Sequence, residues 1–386
     1  MTARTTRMTR MTRMTTRTSR TTAPATSRAT APAPAPAPDH RAEPPLVLQL
    51  SNEARDHGPD NRFVPAFAEL AAEGLLRHRY LAPAVTPPDL RALAREEPPA
   101  LLMVQSPQAR TWSERQVREL LGALGGPPVL VWEGDAWGGP LKQPRRSNLA
   151  WMRRATVVSS VAAGEQQAML RRAAGVPVHY SPHAAALRFH ADEDDPGPVS
   201  SQVTFLGTRR TFCGVELLPD DRERLDLVRR LARMDGCDLA VYGRSWSGSY
   251  ARGPVPFHEQ LAVMRRGLLT AGWDRYRSHT GYASDRLAIA LCAGRVHVTS
   301  RQPGLEWLPG PEEGLYLADT PREAAELVRE LLREDPAELL ARGARGRAWV
   351  RAHLTETHVL RHLLAPHLGF TAPPAAWHTP ALGSTR

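Results

Sequence analysis

The sequence is short of cysteine, lysine and aromatic residues, and it has no long apolar run. Three cysteines, Cys213, Cys237 and Cys292, stand in 386 residues. An odd number at such wide spacing excludes a disulfide framework and a cysteine-built zinc site, and fits a reducing compartment. Apolar stretches such as residues 287–293 fall far short of a membrane span, so no transmembrane helix is expected. The amino-terminal region lacks the apolar centre of a secretory leader, which makes a cytoplasmic location the expectation. Lys142 is the single lysine of the chain. We read this as compositional bias towards Arg, Ala, Gly and Pro.

Acidic residues are also scarce at one end, and that locates the charge. The formal net charge is +10. Residues 1–42 hold eight arginines against one acid, Asp39, so most of the excess sits there and the body is nearly neutral. This stretch is a Thr/Arg/Met repeat followed by Ala-Pro alternation, which cannot bury a core. Residues 1–44 are therefore expected to be a disordered extension, with a polyanion or anionic-membrane tether as the sharper reading. A basic extension of this kind does not make the folded body a nucleic-acid binder, and no nucleic-acid partner is expected.

The body alternates strand-like and helix-like patterns. Leu46–Ser51, Ala100–Gln105, Pro128–Trp132, Thr156–Val161 and Val176–Tyr180 read as short buried strands. Phe63, Phe67 and Leu70 follow helical spacing, Ser113 with Gln116 forms a capping box, and a helix is predicted near Glu165–Ala174. The acidic, Pro/Gly-rich residues 191–200 break the pattern and read as a linker. Alternation restarts with strands at Gln202–Leu206, Asp238–Tyr242, Gly267–Ala271 and Arg295–Thr299. Helices are predicted after Asp220, over Ser284–Ala293, after Thr320 and after Asp335, with Asp220, Thr320 and Asp335 as caps. The expectation is an α/β chain of two Rossmann-like, parallel-sheet domains, residues 45–190 and 201–370, with a loose tail at 371–386. Ligands of such pairs bind between the carboxyl ends of the sheets.

Several segments, in order, resemble group 1 glycosyltransferases of the GT-B type, in particular their CgeB-like branch. They are Val203–Thr208, the Leu239–Gly243 strand with Trp246, Gly281–Ser300, Pro303–Leu308, the helix after Thr320 and Thr357–Leu364. Val131–Trp137 and Val178–Ala185 match more weakly in the first half. The resemblance implies a transferase that moves a sugar from a nucleotide-sugar co-substrate to an acceptor the sequence does not name, with no further cofactor and with retention at the anomeric carbon. One departure concerns the two acidic positions of the pattern, which are Gly281 and Ile289 here. Asp285, one helical turn before Ile289, is the candidate replacement for the ribose or sugar contact, beside Ser284 and Gly281; its alternative role is to favour the helix start.

Transfer from a sugar nucleotide builds negative charge on the leaving diphosphate, which arginines and helix amino termini stabilise. Arg209 and Arg210, directly after the Gly207 turn, are the first candidates, with Arg244 and Arg286 beside them; solvated surface arginines are the plainer reading. Tyr242 and Trp246 are candidates for the base slot, with a core role as the alternative for Tyr242. On the acceptor side the polar stretch Ser51–Asn61 offers Asp56, His57, Asp60 and Asn61, and the later loops offer Glu133, Asp135 and His183. Of these, His57, Asp60 and Asp135 are the candidate bases. No metal-ligand spacing is present outside the linker, so no metal is expected. The alternatives are an inactive scaffold of the same fold serving as a binding partner, and a sugar-nucleotide isomerase.

Overall fold

The computed structural model describes residues 43–51, 61–81, 86–105, 112–138, 142–186, 198–211, 215–216, 220–378 and 382. Two all-parallel six-stranded sheets carry the fold. The first contains β1 (Leu46–Ser51), β2 (Arg77–Leu81), β3 (Leu101–Gln105), β4 (Val129–Glu133), β5 (Val157–Ser160) and β6 (Val178–Tyr180), in the order β2-β1-β3-β4-β5-β6. The second contains β7 (Ser201–Leu206), β8 (Leu239–Tyr242), β9 (Ala251–Gly253), β10 (Gly267–Ala271), β11 (Val296–Ser300) and β12 (Leu315–Ala318), in the order β12-β11-β10-β7-β8-β9.

Inner strands are covered on both faces, and their sequences show why. Every residue of β1, β3 and β4 is buried, as a parallel sheet layered between helices requires. The half-exposed sequence of β2, Arg-His-Arg-Tyr-Leu, is tolerated because that strand lies at the sheet edge. Ser113 and Gln116 form their capping box at the start of α3 (Glu114–Ala123), and Thr320 and Asp335 cap α9 (Pro321–Leu331) and α10 (Pro336–His353). Asp220 does not cap α6 (Asp221–Ala232). Its backbone is left-handed at φ 56°, and its carboxylate accepts instead from the Arg277 amide at 2.8 Å.

Strand order reverses direction between β1 and β3 in the first sheet and between β7 and β10 in the second. At such switch points the two connections leave in opposite directions and open a crevice at the strand ends. The first crevice is floored by buried amides: Gln49 donates to Asn61 and to Gln105, and Asn61 donates to Gln105, all at 2.9 Å. The second lies beside the Gly207 turn. Gly243, at φ 139°, lets the β8 turn press against it, because a Cβ there would stand 2.2 Å from the Gly207 oxygen.

The chain does not end where its second sheet does. The last helix, α11 (Glu356–Leu368), returns to the first sheet, where Leu360 and Leu364 share a core with Val47, Phe63 and Phe67. Buried Arg62 pairs with Glu356, and Thr357 donates to Glu69 at 2.7 Å. The long-range partners of this helix leave no local mark in the sequence. Two described residues of the carboxyl-terminal stretch are buried. Trp377 is 1% exposed and packs on Trp307 and His362, and buried Leu382 covers the Gly281 turn. Trp377→Ala removes a fully buried aromatic side chain and is expected to lower unfolding free energy by about 3–5 kcal/mol in urea titrations; an unchanged midpoint would show the tail to be dispensable.

Candidate functional site

The second crevice gathers arginines. Arg224, from α6, is buried and donates to the carbonyls of Trp273 at 2.7 Å and Thr208 at 3.3 Å. Arg275, just beyond β10, pairs with buried Asp221 and also donates to the Thr208 carbonyl. Arg286 lies in the first turn of α8 (Asp285–Cys292), and its Nε is buried with no hydrogen-bond partner. Exposed Arg210 completes the set. Burial pushes Arg224 down to about 9, and the charges of Arg275 and Arg286 add to that. Arg275 is lowered by burial and by Arg210 and Arg286, against the pull of Asp221. Four guanidiniums thus repel one another at the switch point, next to the amino terminus of a helix, and an anion would relieve that strain.

One loop joins this cluster to the first sheet. Residues 272–284 leave β10, carry Asp274 and Arg275, and end at α8. Asp274 accepts from the Ser284 amide at 3.2 Å and from Gln302 at 3.1 Å, which fixes where α8 begins. On the other side His279 Nε2 meets the Trp137 carbonyl at 2.9 Å, the Ala163 amide donates to the Thr280 carbonyl at 2.8 Å, and the Tyr180 hydroxyl donates to the Gly281 carbonyl at 2.7 Å.

The first sheet presents acids and a histidine to the same space. Glu133 ends β4, fully buried, with its carboxylate receiving Asn148 Nδ2 at 2.7 Å and the Asp135 amide at 3.0 Å. Burial, reinforced by the Asp135 charge, pushes its carboxyl up to about 8. Asp135 is a third exposed and pairs with Lys142 at 3.1 Å. Burial pushes His183 down to about 4, the Asp285 charge opposing this and Arg62 adding to it, so its ring is neutral; its Nδ1 is buried without a partner. Burial works to raise Asp285, but the charges of Arg286 and Arg62, with the Arg286 amide, outweigh it and hold the carboxyl below its ordinary value. Its Oδ2 is 4.0 Å from Arg62 Nη1. Burial pushes the Tyr282 phenol well above its ordinary value, and the charges of Asp274, Asp285 and Asp135 add to that against Arg286.

The structure therefore brings together Arg210, Arg286, Asp285, Ser284, Glu133, Asp135 and His183. It takes Arg209 out, because that side chain is paired with Glu216 at 2.7 Å. Arg244 is exposed and offers only its carbonyl, to the Arg209 amide at 3.0 Å. Trp246 packs edge-on against Phe205 and donates to the Gly207 carbonyl, while Tyr242 packs on the core around α8; neither forms an open slot. Asn61 spends its amide on Gln49 and Gln105. Asp56, His57 and Asp60 lie outside the described residues.

The two missing acids have structural causes. Gly281 sits at φ 71°, and a Cβ there would stand 2.9 Å from Leu382 and 3.0 Å from the Tyr180 ring. Ile289 is buried in the core of α8. Arg224 and Arg275, the arginines that sequence reasoning missed, needed the sheet order to be found. The signal available for Arg275 was its place four residues after a predicted strand. A cavity of about 430 Å³ adjoins the cluster at the ends of β11 and β12, lined among others by Asp220, Arg277, Arg301, Gln302 and Asp319. Among the described residues no group of three or more His, Cys, Asp or Glu is placed to hold a metal, and no helix is long and apolar enough to cross a membrane.

Two facing parallel sheets with helices between their strands, and a crevice at the strand ends, define the GT-B class of fold. Residues 222–365 match the model of a family described as glycosyl transferase-like. No curated protein matches the sequence. Solved structures do match in fold. The sucrose-phosphate synthase of Thermosynechococcus elongatus aligns over 84% of this chain and 97% of its own, with a TM-score of 0.53 and 15% identity. The T4 phage β-glucosyltransferase in complex with UDP-glucose aligns over 84% and 100%, with a TM-score of 0.54 and 8% identity. HepE of Anabaena in complex with UDP aligns over the same shares, with a TM-score of 0.50 and 10% identity.

Glu133 makes a signed prediction. Its carboxyl is protonated in the folded state over a range where the unfolded chain has released the proton, so its contribution to stability is lost as pH rises from about 4.5 to about 8. Glu133→Gln keeps a neutral side chain at every pH. The difference between the urea midpoints at pH 5 and pH 8 is expected to be smaller in the variant by a loss the wild type alone suffers; equal differences would place the Glu133 proton elsewhere.

Proposed function

We propose that the protein is a glycosyltransferase that takes its sugar from a nucleotide-sugar donor, a UDP-sugar first among the candidates. One observation carries this reading: the four-arginine cluster at the switch point of the second sheet, with an unpartnered Arg286 Nε and a helix start aimed into the same crevice. Such a site holds a diphosphate and takes up the charge that grows on it as the anomeric C–O bond breaks. The fold match and the bound UDP or UDP-glucose of the T4 and Anabaena structures support a nucleotide there.

The donor nucleoside enters the 430 Å³ cavity at the ends of β11 and β12, where Asp220 and Asp319 can accept from ribose hydroxyls. The sugar then extends towards His183 and Asp285. Asp135, a third exposed and open to an incoming acceptor, is the group that takes the proton of the acceptor hydroxyl, because Glu133 is already protonated at neutral pH. Lys142 beside Asp135 holds that carboxylate in place at 3.1 Å. The cluster and helix start supply the leaving-group stabilisation without a metal. An inactive scaffold is the second reading, favoured by the loss of acids at Gly281 and Ile289.

Thermal shift and nucleoside-diphosphate release with UDP-, GDP- and dTDP-sugars separate these readings. A UDP-sugar is expected to raise the melting temperature and to be turned over, with Arg286→Gln losing about 10²–10³-fold in kcat, as loss of one such donor does elsewhere. Binding without turnover selects the scaffold; neither binding nor turnover with any sugar nucleotide contradicts both.

A further inference from the structure

A second concentration of arginines lies on the outer face of the same lobe, away from the crevice. Helices α6 and α9 pack side by side there. A groove of about 420 Å³ runs between them, with Arg229, Arg230 and Arg233 on one wall, Arg322 and Arg329 on the other, and Met234 and Ala325 among its lining. All five arginines are exposed. Two carboxylates line the groove and both are committed within their own helices, Asp226 to Arg230 at 2.8 Å and Glu326 to Arg322 at 2.8 Å. Arg229, Arg233 and Arg329 form no ion pair among the described residues. Glu216, which Arg229 influences at longer range, is already paired with Arg209.

This arrangement is unfavourable as it stands. Arg229 and Arg233 are four residues apart on one helical face, where like charges repel. Arg322 occupies the first turn of α9, at the positive end of that helix, where a cation is disfavoured. Each cation is tolerable alone, but together the five arginines outnumber the two carboxylates of the groove by three charges. A bound polyanion would balance them.

We propose that the α6–α9 groove is a binding site for a short oligophosphate chain, separate from the crevice. Spacing favours phosphate over an acidic peptide. Arg322 and Arg329 are about 10 Å apart along α9, and the groove reaches to Arg233, about 18 Å along α6 from Asp221 at the crevice. A phosphoanhydride chain carries charge on every phosphorus, so three charges fit within that length. An extended peptide turns every second side chain away and cannot match that density. The flat, forked guanidinium suits phosphate oxygens in pairs. The site neither needs nor uses the reaction proposed above.

The test is calorimetric titration of inorganic tripolyphosphate into the full chain at low and moderate salt. It compares the wild type, Arg229→Gln/Arg233→Gln/Arg329→Gln and Arg286→Gln. The amino-terminal arginines are present in all three proteins, so their contribution cancels. The wild type and the crevice variant are expected to share a binding event that the groove variant weakens at least ten-fold, and the event is expected to fade as salt rises. Relief of repulsion is expected to leave the unliganded groove variant melting no lower than the wild type, which also shows that it folds. Identical titrations for wild type and groove variant overturn the proposal. So does tighter binding of a tri-aspartate peptide than of tripolyphosphate, since that selects a protein partner.

Discussion

The placement of everything in the crevice depends on one doubly anchored loop, residues 272–284. Its start belongs to the second sheet, where Asp274 and Arg275 hold the Gly207 turn and the beginning of α8. Its middle is hydrogen-bonded to the first sheet through His279, Thr280 and Gly281. A loop free at either side would let the arginines and the acids drift apart. Fastened at both, it sets Arg275 and Arg286 on one wall and Asp135 and His183 on the other. The Arg62–Glu356 pair adds a second fastening, and Arg62 also reaches towards Asp285. Removing one member of a buried pair of this kind leaves the other charge uncompensated, which is costly. The packing that closes the fold therefore also shapes the site.

Electrostatic preparation follows from burial. The second sheet's switch point collects cations before any ligand arrives, and their desolvation and mutual repulsion store a demand for an anion. The first sheet's loops do the opposite. Glu133 is buried where its charge is penalised, so it holds a proton and acts as a neutral hydrogen-bonding group. His183 is half-buried where its cation is penalised, so it is a neutral ring with one nitrogen donating and the other accepting. Asp135 alone of the three keeps a partner cation, Lys142. Environments that push neighbouring groups in different directions divide the acid and base roles between them.

Much of the fold was legible because parallel strands announce themselves as short apolar runs and helix starts as caps. Leu46–Ser51 is such a run, and Thr320-Pro321 with Glu323 is such a cap. The polar edge strand β2 carries no such run. The return of α11 was hidden because its partners, Val47 and Phe67, lie some three hundred residues away in the chain. The site was only half legible for a similar reason. Position after a strand singled out Arg210 and Arg209 alike, and only the Glu216 pairing removes the second. Asp220 had the residue type of a cap, yet the Arg277 amide competes for its carboxylate. Gly281 read as a lost acid; the ring of Tyr180 and the methyls of Leu382 show a position with no room for one.

The central claim is geometric, and crystals grown with UDP test it most directly. The account predicts the diphosphate against Arg210, Arg275 and Arg286 at the start of α8, with the uridine in the cavity bounded by Asp220 and Gln302. A diphosphate bound elsewhere on the chain, or a crevice left without nucleotide at saturating UDP, would contradict it.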